Sequence, residues 1–463
     1  MNEVLKTRLE WFEKRAKEMG VDWFPIQWEV VPEDVLREIM VYGLPTRARH
    51  WSYGQSYEYH KNSGEMGQSK LYELILNNDP CYAFLLDTNP DIANSLVLSH
   101  CLGHSSFFKN NYLFKSTDRK MVYHAAERAQ RIDNYIDQHG IEKVEYIMDV
   151  GFALEKHIDW HKGIFRKPYS LTREKVKERK TDEFEDLLGT KSEELTKKKE
   201  ESFPPRPEQD IIWFLCNYAD LEPWEKDILE IIREESYYFY PQYLTKIMNE
   251  GFASYMHAQL MYELPEELFT HAEYLEFVKI HEKVVQPGGS KLNINPYFLG
   301  FTILNDIKKR WDILHADGES KITGFQKILE VCRDEDDISF LRNYLTKEIC
   351  EELKLFAYTK KWDKNREQFY EIESTNVVDI VEHMISGLYD YRAPVIAITK
   401  ASPFGLEIEH LSSDVGNLDP KHTKKVMQYL HEIWGAPVDL KTSNSKGEDF
   451  HYTYDEEGFS HGS

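Results

Sequence analysis

The sequence predicts a mainly α fold, a large multi-helix body followed by a small C-terminal α+β domain. Three observations carry that expectation. Apolar residues recur at spacings of three and four through most of the chain up to about residue 375. From residue 376 on, short runs alternate with period two between turn residues. The length, 463 residues, exceeds the size at which a single core stops growing, so more than one domain is expected.

Residues 1–167 read as the N-terminal helical part of the body. MNEVLKTRLEWFEKRAKEMG carries charges every few positions and no apolar core run, so it reads as an amphipathic helix and not as a signal peptide. NDPCYAFLLDTNPD is read as a turn-rich break, and NSLVLSHCLGHSSFFKNNYLF as a helix ending in a Phe/Asn-rich turn. Met121 to Gly140 and EKVEYIMDVGFALEKHIDWHKGIF return to helical spacing. Residues 168–208, dense in charge and closing on FPPRP, read as a solvated linker or surface excursion. Residues 209–375 form the second helical part, with Leu221, Trp224, Ile228, Ile231 and Ile232 at helix spacing. Pro241 is expected to break that helix before LTKIMNEGFASYMHAQLMYEL begins the next. Within 376–463, APVIAITKA, GLEIEHLS, APVDLKTS and FHYTYD read as strands, and DPKHTKKVMQYLHEIWG as a helix opened by Asp419 and Pro420. No internal repeat is present.

Composition narrows the function. With 57 Lys and Arg against 80 Asp and Glu, the net charge of −23 disfavours nucleic acid and anionic membrane surfaces as partners. It favours basic partners or bound cations. No run approaches the roughly 18 apolar residues that a membrane-spanning helix needs. The cysteines, Cys81, Cys101, Cys216, Cys332 and Cys350, are odd in number and scattered, a pattern of reduced thiols in a cytoplasmic protein. No glycine-rich phosphate loop or serine nucleophile elbow supports a kinase, NTPase or α/β-hydrolase reading.

Five stretches, in order and spacing, carry a family resemblance: HWSYGQSYEYHKN (50–62), YELILNNDPCYAFLL (72–86), SHCLGHSSFFKNNYLF (99–114), YFYPQYLTKIMNEGFASYMH (238–257) and NPYFLGFTILNDIKKRWD (295–312). Over roughly residues 20 to 450 the chain resembles the stage V sporulation protein R (SpoVR) family. The resemblance implies a factor for spore cortex formation whose biochemical role is broader than sporulation, because relatives occur in bacteria that form no spores. It also implies a serine protein kinase with an AAA-type domain as partner or regulator. It brings no settled enzymatic activity.

Two segments carry candidate chemistry. His100 and His104 lie four apart in a helical stretch and project from one face, the spacing with which two histidines grip one zinc ion. MNEGFASYMH is similar to the motif of gluzincin-type zinc aminopeptidases, in which Asn-Glu-Gly-x-Ala supplies a Glu ligand. That resemblance makes Glu250 the third ligand of a His₂Glu zinc centre, with one position left for water. The alternative for Glu250 is a buried carboxylate paired with Lys246. His257, two turns further on, is a fourth ligand, an orienting group or an ordinary polar residue. Two departures from the peptidase pattern stand out. Cys101 occupies the place of the general-base Glu, and about 145 residues separate His104 from Glu250. Glu234 or Glu235 is the candidate base and Tyr255 the candidate oxyanion donor. The resulting expectation is a metal-dependent hydrolase of amide or peptide-type bonds. The alternative is a non-enzymatic adaptor with a decayed metallopeptidase-like pocket.

Other candidates read as structural. His157 and His161 share the four-residue spacing but lack a third ligand, and are expected at the surface. His281-Glu282 opens like the peptidase signature but has Val285 where the second His belongs. Cys101 is expected to be a packed thiol, and Lys109, Asn110 and Asn111 suit either carboxylate recognition or helix capping. His60 is a candidate pocket residue.

Overall fold

The computed structural model describes residues 1–44, 48–53, 56, 73–170, 203–288, 294–362, 368–386, 393–411, 418–443 and 449–462. His60, with Tyr57, Tyr59 and Lys61, lies outside the described residues, as does most of the charged segment, 171–202. The fold is mainly α, with a sheet-containing C-terminal region. Chain contacts group it into two compact units, one of residues 1–152 and 227–393, the other of 153–226 and 394–463.

In chain order the elements begin with α1 (Glu3–Glu18), β1 (Ile26–Val31), α2 (Glu33–Tyr42), β2 (Leu74–Leu76) and β3 (Cys81–Leu86). Helices α3 (Asp91–Asn110), α4 (Met121–His139) and α5 (Ile141–Leu154) follow, then α6 (Ile211–Tyr218), α7 (Pro223–Leu244) and α8 (Lys246–Tyr262). Next come α9 (His271–Val284), α10 (Pro296–Ala316), α11 (Gly324–Asp334), α12 (Asp337–Tyr344) and α13 (Lys347–Leu353). A hairpin of β4 (Ala357–Trp362) and β5 (Gln368–Ser374) precedes α14 (Val377–Ser386). The C-terminal elements are β6 (Ile396–Ser402), β7 (Gly405–His410), α15 (Pro420–Trp434), β8 (Val438–Ser443), β9 (Asp449–Asp455) and β10 (Gly458–Gly462).

Three local expectations are corrected. CYAFLL is not part of a break: it is the central strand of a three-stranded sheet, parallel to β1 and antiparallel to β2. It is buried at nearly every position, so no alternation marks it. Pro241 sits inside the last turn of α7, and the chain breaks instead at Thr245, whose hydroxyl donates to the Pro241 carbonyl at 2.7 Å. The second helical part also contains the β4–β5 hairpin, read from sequence as helix.

In the second unit, β10-β9-β8-β7-β6 form one sheet whose single parallel pair, β7 with β8, is bridged by the α15 crossover. Asp419 caps α15 through the amides of Lys421 and His422, and Gly435 at φ 73° ends it. The far end of the charged segment is built into this unit. Glu208 exchanges backbone hydrogen bonds with Ile398, and its fully buried carboxylate takes two hydrogen bonds from Arg166.

The first unit is organised around α3 and α8, helices buried along almost their whole length. A helix apolar or small on every side belongs in the centre of a bundle. Glycine sets how closely they pack. A Cβ on Gly103 of α3 would lie 2.7 Å from the Cα of Ala253 in α8. A Cβ on Gly251 of α8 would lie 2.5 Å from the backbone of Gly300 in α10. Asp337, buried at the start of α12, accepts the free amides of Ile247 and Met248 and so fixes the N-terminus of α8. Gly251→Ala therefore should cost about 1–3 kcal/mol, because backbone and not a movable side chain blocks the new methyl. Urea unfolding checks this against Gly163→Ala, where nothing lies within 4 Å and the change should stay within about 0.5 kcal/mol.

Candidate metal centre

The approach of α3, α8 and α10 brings together side chains far apart in sequence. His100 and His104 project from α3 towards Glu250 at the start of α8, and Glu73, immediately before β2, completes the group. One donor atom from each of the four lies within 4.8 Å of the others. His100 Nε2 is 3.2 Å from Glu73 Oε2 and 3.6 Å from Glu250 Oε2, and His104 Nε2 is 3.3 Å from Glu250 Oε2. A tetrahedral ion with bonds of about 2.0–2.1 Å sets its donors roughly 3.4 Å apart, so these separations fit one small cation.

Hydrogen bonding behind the rings turns the same nitrogens inwards. His104 Nδ1 lies 2.8 Å from Asn249 Oδ1, an oxygen that only accepts. Nδ1 therefore carries the proton, and Nε2 presents a lone pair to Glu250. His100 Nδ1 lies 3.0 Å from His257 Nδ1, and His257 Nε2 lies 2.7 Å from His281 Nδ1. His100 Nε2 and Glu250 Oε2 face each other, buried, with no hydrogen-bond partner of acceptable geometry. Tyr297, at the start of α10, stacks its ring near His100 and donates its hydroxyl to Glu73 Oε1 at 3.3 Å.

The electrostatics describe a cluster short of positive charge. Burial alone would lower His100, but the Glu73 and Glu250 carboxylates outweigh it and hold the imidazole at about 9. Burial would raise Glu250, yet the approach of the two imidazoles holds it well below the usual carboxylate range. Among the described residues no Lys or Arg pairs with Glu73 or Glu250. Burial, with the two carboxylates beside it, keeps the Tyr297 hydroxyl protonated. His257 is held neutral by burial and the neighbouring imidazoles, and His281 falls to about 4 through burial.

Of the residues singled out from the sequence, His100, His104 and Glu250 meet, and the partner of Glu250 is the histidine pair, not Lys246. His257 is not in the group of four: it stands behind His100, on the side away from the donor nitrogen. Glu234 is ion-paired with Arg128 of α4, and Glu235 is buried on α7 outside the group. Tyr255 packs its ring on Phe325, and the charges acting on its hydroxyl are those of Asp312 and Glu263. Cys101 is fully buried, and burial raises its thiol well above the ordinary value. Lys109 and Asn110 bind Asp22, while Asn111 caps the 3₁₀ turn at Tyr112–Ser116 and binds the carbonyls of Cys332 and Glu335. His161 is exposed as expected, while His157 is half-buried, and desolvation lowers it to about 4.

Sequence reasoning missed Glu73, Tyr297 and His281. The family profile described as "SpoVR like protein" matches residues 2–389. The chain belongs to the SpoVR family. Among relatives of this SpoVR-family chain, the "Uncharacterized protein YcgB" of Escherichia coli (strain K12) is 30% identical over 482 residues, covering 96% of this chain and 93% of that protein. No solved structure matches. Glu73 and Tyr297 both fall inside stretches that carry the SpoVR resemblance. Those motifs thus converge on one cluster in the fold.

If an ion binds at this cluster, its affinity should depend on pH in a defined direction. Below about pH 9 an ion must displace the His100 proton, so affinity should rise by roughly tenfold per pH unit up to that point. Co²⁺ titrations at pH 6, 7 and 8 test this. A flat profile would show that the ion does not use His100.

Proposed function

We propose that this SpoVR-family chain is a metal-dependent hydrolase of amide or peptide-type bonds, with zinc the first candidate ion. His100 Nε2, His104 Nε2 and Glu250 would hold the ion. The observation that supports this best is the convergence of two inward-facing imidazole nitrogens and two carboxylates that, among the described residues, no Lys or Arg neutralises. Two half-buried carboxylates, offset only by a proton on His100, favour a divalent ion.

Bound there, zinc would act as a Lewis acid and bring the pKa of its water towards neutrality. The chain's own groups supply the rest. Glu73 stands beside His100 Nε2 and takes the role that the peptidase pattern gives to the Glu after its first His. As general base it accepts the proton of the attacking water. Tyr297 orients that carboxylate and, staying protonated, offers its hydroxyl to the developing oxyanion. These two replace Glu234, Glu235 and Tyr255 in the roles the sequence suggested. The substrate belongs to envelope or cortex synthesis in this reading, and the AAA-type kinase implied by the family resemblance enters as a regulator.

Elemental analysis of protein purified without chelator tests the reading. About one zinc or similar ion per chain is expected in the native protein, and none in His104→Ala. Glu73→Gln should keep the ion and lose about 10²- to 10⁴-fold in turnover of fluorogenic peptide and amide substrates. No stoichiometric ion in the native protein would favour the non-enzymatic adaptor instead.

A further inference from the structure

A cleft of about 360 Å³ opens where the turn after α1, the last turns of α3 and helix α11 meet, and the proposed chemistry makes no use of it. Two positions apart on one helix, His104 and Ser106 point to nearly opposite sides of α3, so the cleft and the histidine cluster use different faces. The floor of the cleft is apolar. Phe107 and Phe252 are each 1% exposed there, and Ile322 and Leu329 close its sides. The walls stand without a ligand, because Asn111 Nδ2 donates to the carbonyls of Cys332 at 2.8 Å and Glu335 at 2.9 Å and so ties α11 to the end of α3.

Several polar groups lining this cleft have hydrogen-bonding capacity left over. Ser106 is 3% exposed, yet its hydroxyl has no hydrogen-bond partner among the described residues. Asn110 spends its Nδ2 on the carbonyls of Asp22 and Ser106, both at 2.8 Å, which leaves Oδ1 without a donor. Asp22 receives Lys109 Nζ on Oδ1 alone. Glu330 meets Lys327 at 3.5 Å through Oε2 alone, and that ammonium also lies over the rings of Trp311 and Tyr344. The donors on the same rim are Gln326 Nε2 and Arg333, whose guanidinium is held by two hydrogen bonds to Asp334. Open carboxylate and amide oxygens above an apolar floor suit a ligand that donates.

We infer that this cleft is a second binding site, for a small amine whose ammonium group donates to the open oxygens at the rim while a compact aromatic or branched apolar body fills the floor over Phe107 and Phe252. Glu330 is the foremost partner, because its own ion pair is the loosest. The Ser106 hydroxyl supplies the deepest polar contact. The size of the cleft, its apolar floor and its few polar groups are those of a small-molecule site. A net charge of −23 favours a cation at its mouth. The inference stands independently of the metal-centre reading.

Ligand-observed NMR titration of the full chain with 2-phenylethylamine tests it, with 3-phenylpropionate and n-propylamine as matched probes. The aromatic amine should bind with a Kd of about 0.1–1 mM, an ordinary affinity for so small a ligand. The matched acid and the amine without a ring should each bind about tenfold more weakly or worse. Glu330→Gln and Asp22→Asn should each weaken the aromatic amine by about three- to tenfold. Ser106→Leu, whose side chain would occupy the floor, should abolish binding. If Ser106→Leu fails to fold, as judged by near-UV circular dichroism, the two rim variants decide. The affinity should be the same with and without added Zn²⁺. No saturable binding of 2-phenylethylamine by the native protein overturns the inference, as does native-like affinity in both rim variants. Equal affinity for 3-phenylpropionate or n-propylamine overturns it too, by reducing the cleft to an apolar hollow or an acidic surface. An affinity that follows Zn²⁺ occupancy would place the amine at the histidine cluster and overturn it equally.

Discussion

The near-contact of α3, α8 and α10 at Gly103, Gly251 and Gly300 is the constraint on which the first unit depends. Side chains at those positions would hold the helices apart, since the blocking atoms are backbone or lie next to it. With the helices this close, residues on facing turns become neighbours. His100 and His104 flank Gly103, Glu250 precedes Gly251, and Tyr297 lies one turn before Gly300. The same few residues thus set both the packing and the geometry of the cluster. Asp337 adds to this by holding the first amides of α8, the turn from which Asn249 and Glu250 reach α3.

Packing alone would not favour two carboxylates beside two buried imidazoles. Burial opposes charge on His100 and on Glu250, and in each case the opposite partner prevails. A proton on His100 meets part of that demand, and a divalent ion would meet more of it with both rings neutral. The hydrogen bonds behind the rings favour the second state, because Asn249 leaves the inner nitrogen of His104 bare. An Asn-Glu-Gly string can therefore be understood from its contacts. Asn249 orients a histidine, Glu250 faces both histidines, and Gly251 admits α10.

Much of the fold was legible from periodicity, because a helix with one buried face states its period in the sequence. The Leu5, Leu9, Phe12, Ala16 face of α1 and the caps of α15 are such cases. Burial on all sides hides the period: the β3 run is flanked by Asp-Pro and Asn-Pro and does not alternate, so its sequence resembles a break. Pro241 lies inside α7, and the break comes four residues later at Thr245. In the site, the His100–His104 pair was legible because both lie on one helix. Glu73 was not, since no spacing rule links a residue beside an edge strand to a helix that begins 18 residues later. His281 has no second His on its own helix, and its partner His257 lies on the neighbouring one.

The central claim is that His100, His104 and Glu250 hold one cation, with Glu73 beside it. The most direct test is an anomalous-scattering crystal structure of the zinc-loaded protein, with data on both sides of the zinc absorption edge. A single strong peak about 2.0–2.2 Å from His100 Nε2, His104 Nε2 and a Glu250 oxygen is the expected result. A peak elsewhere, or none with His100 Nε2 hydrogen-bonded to Glu73 in its place, would contradict the account and leave the cluster a buried ion-pair network.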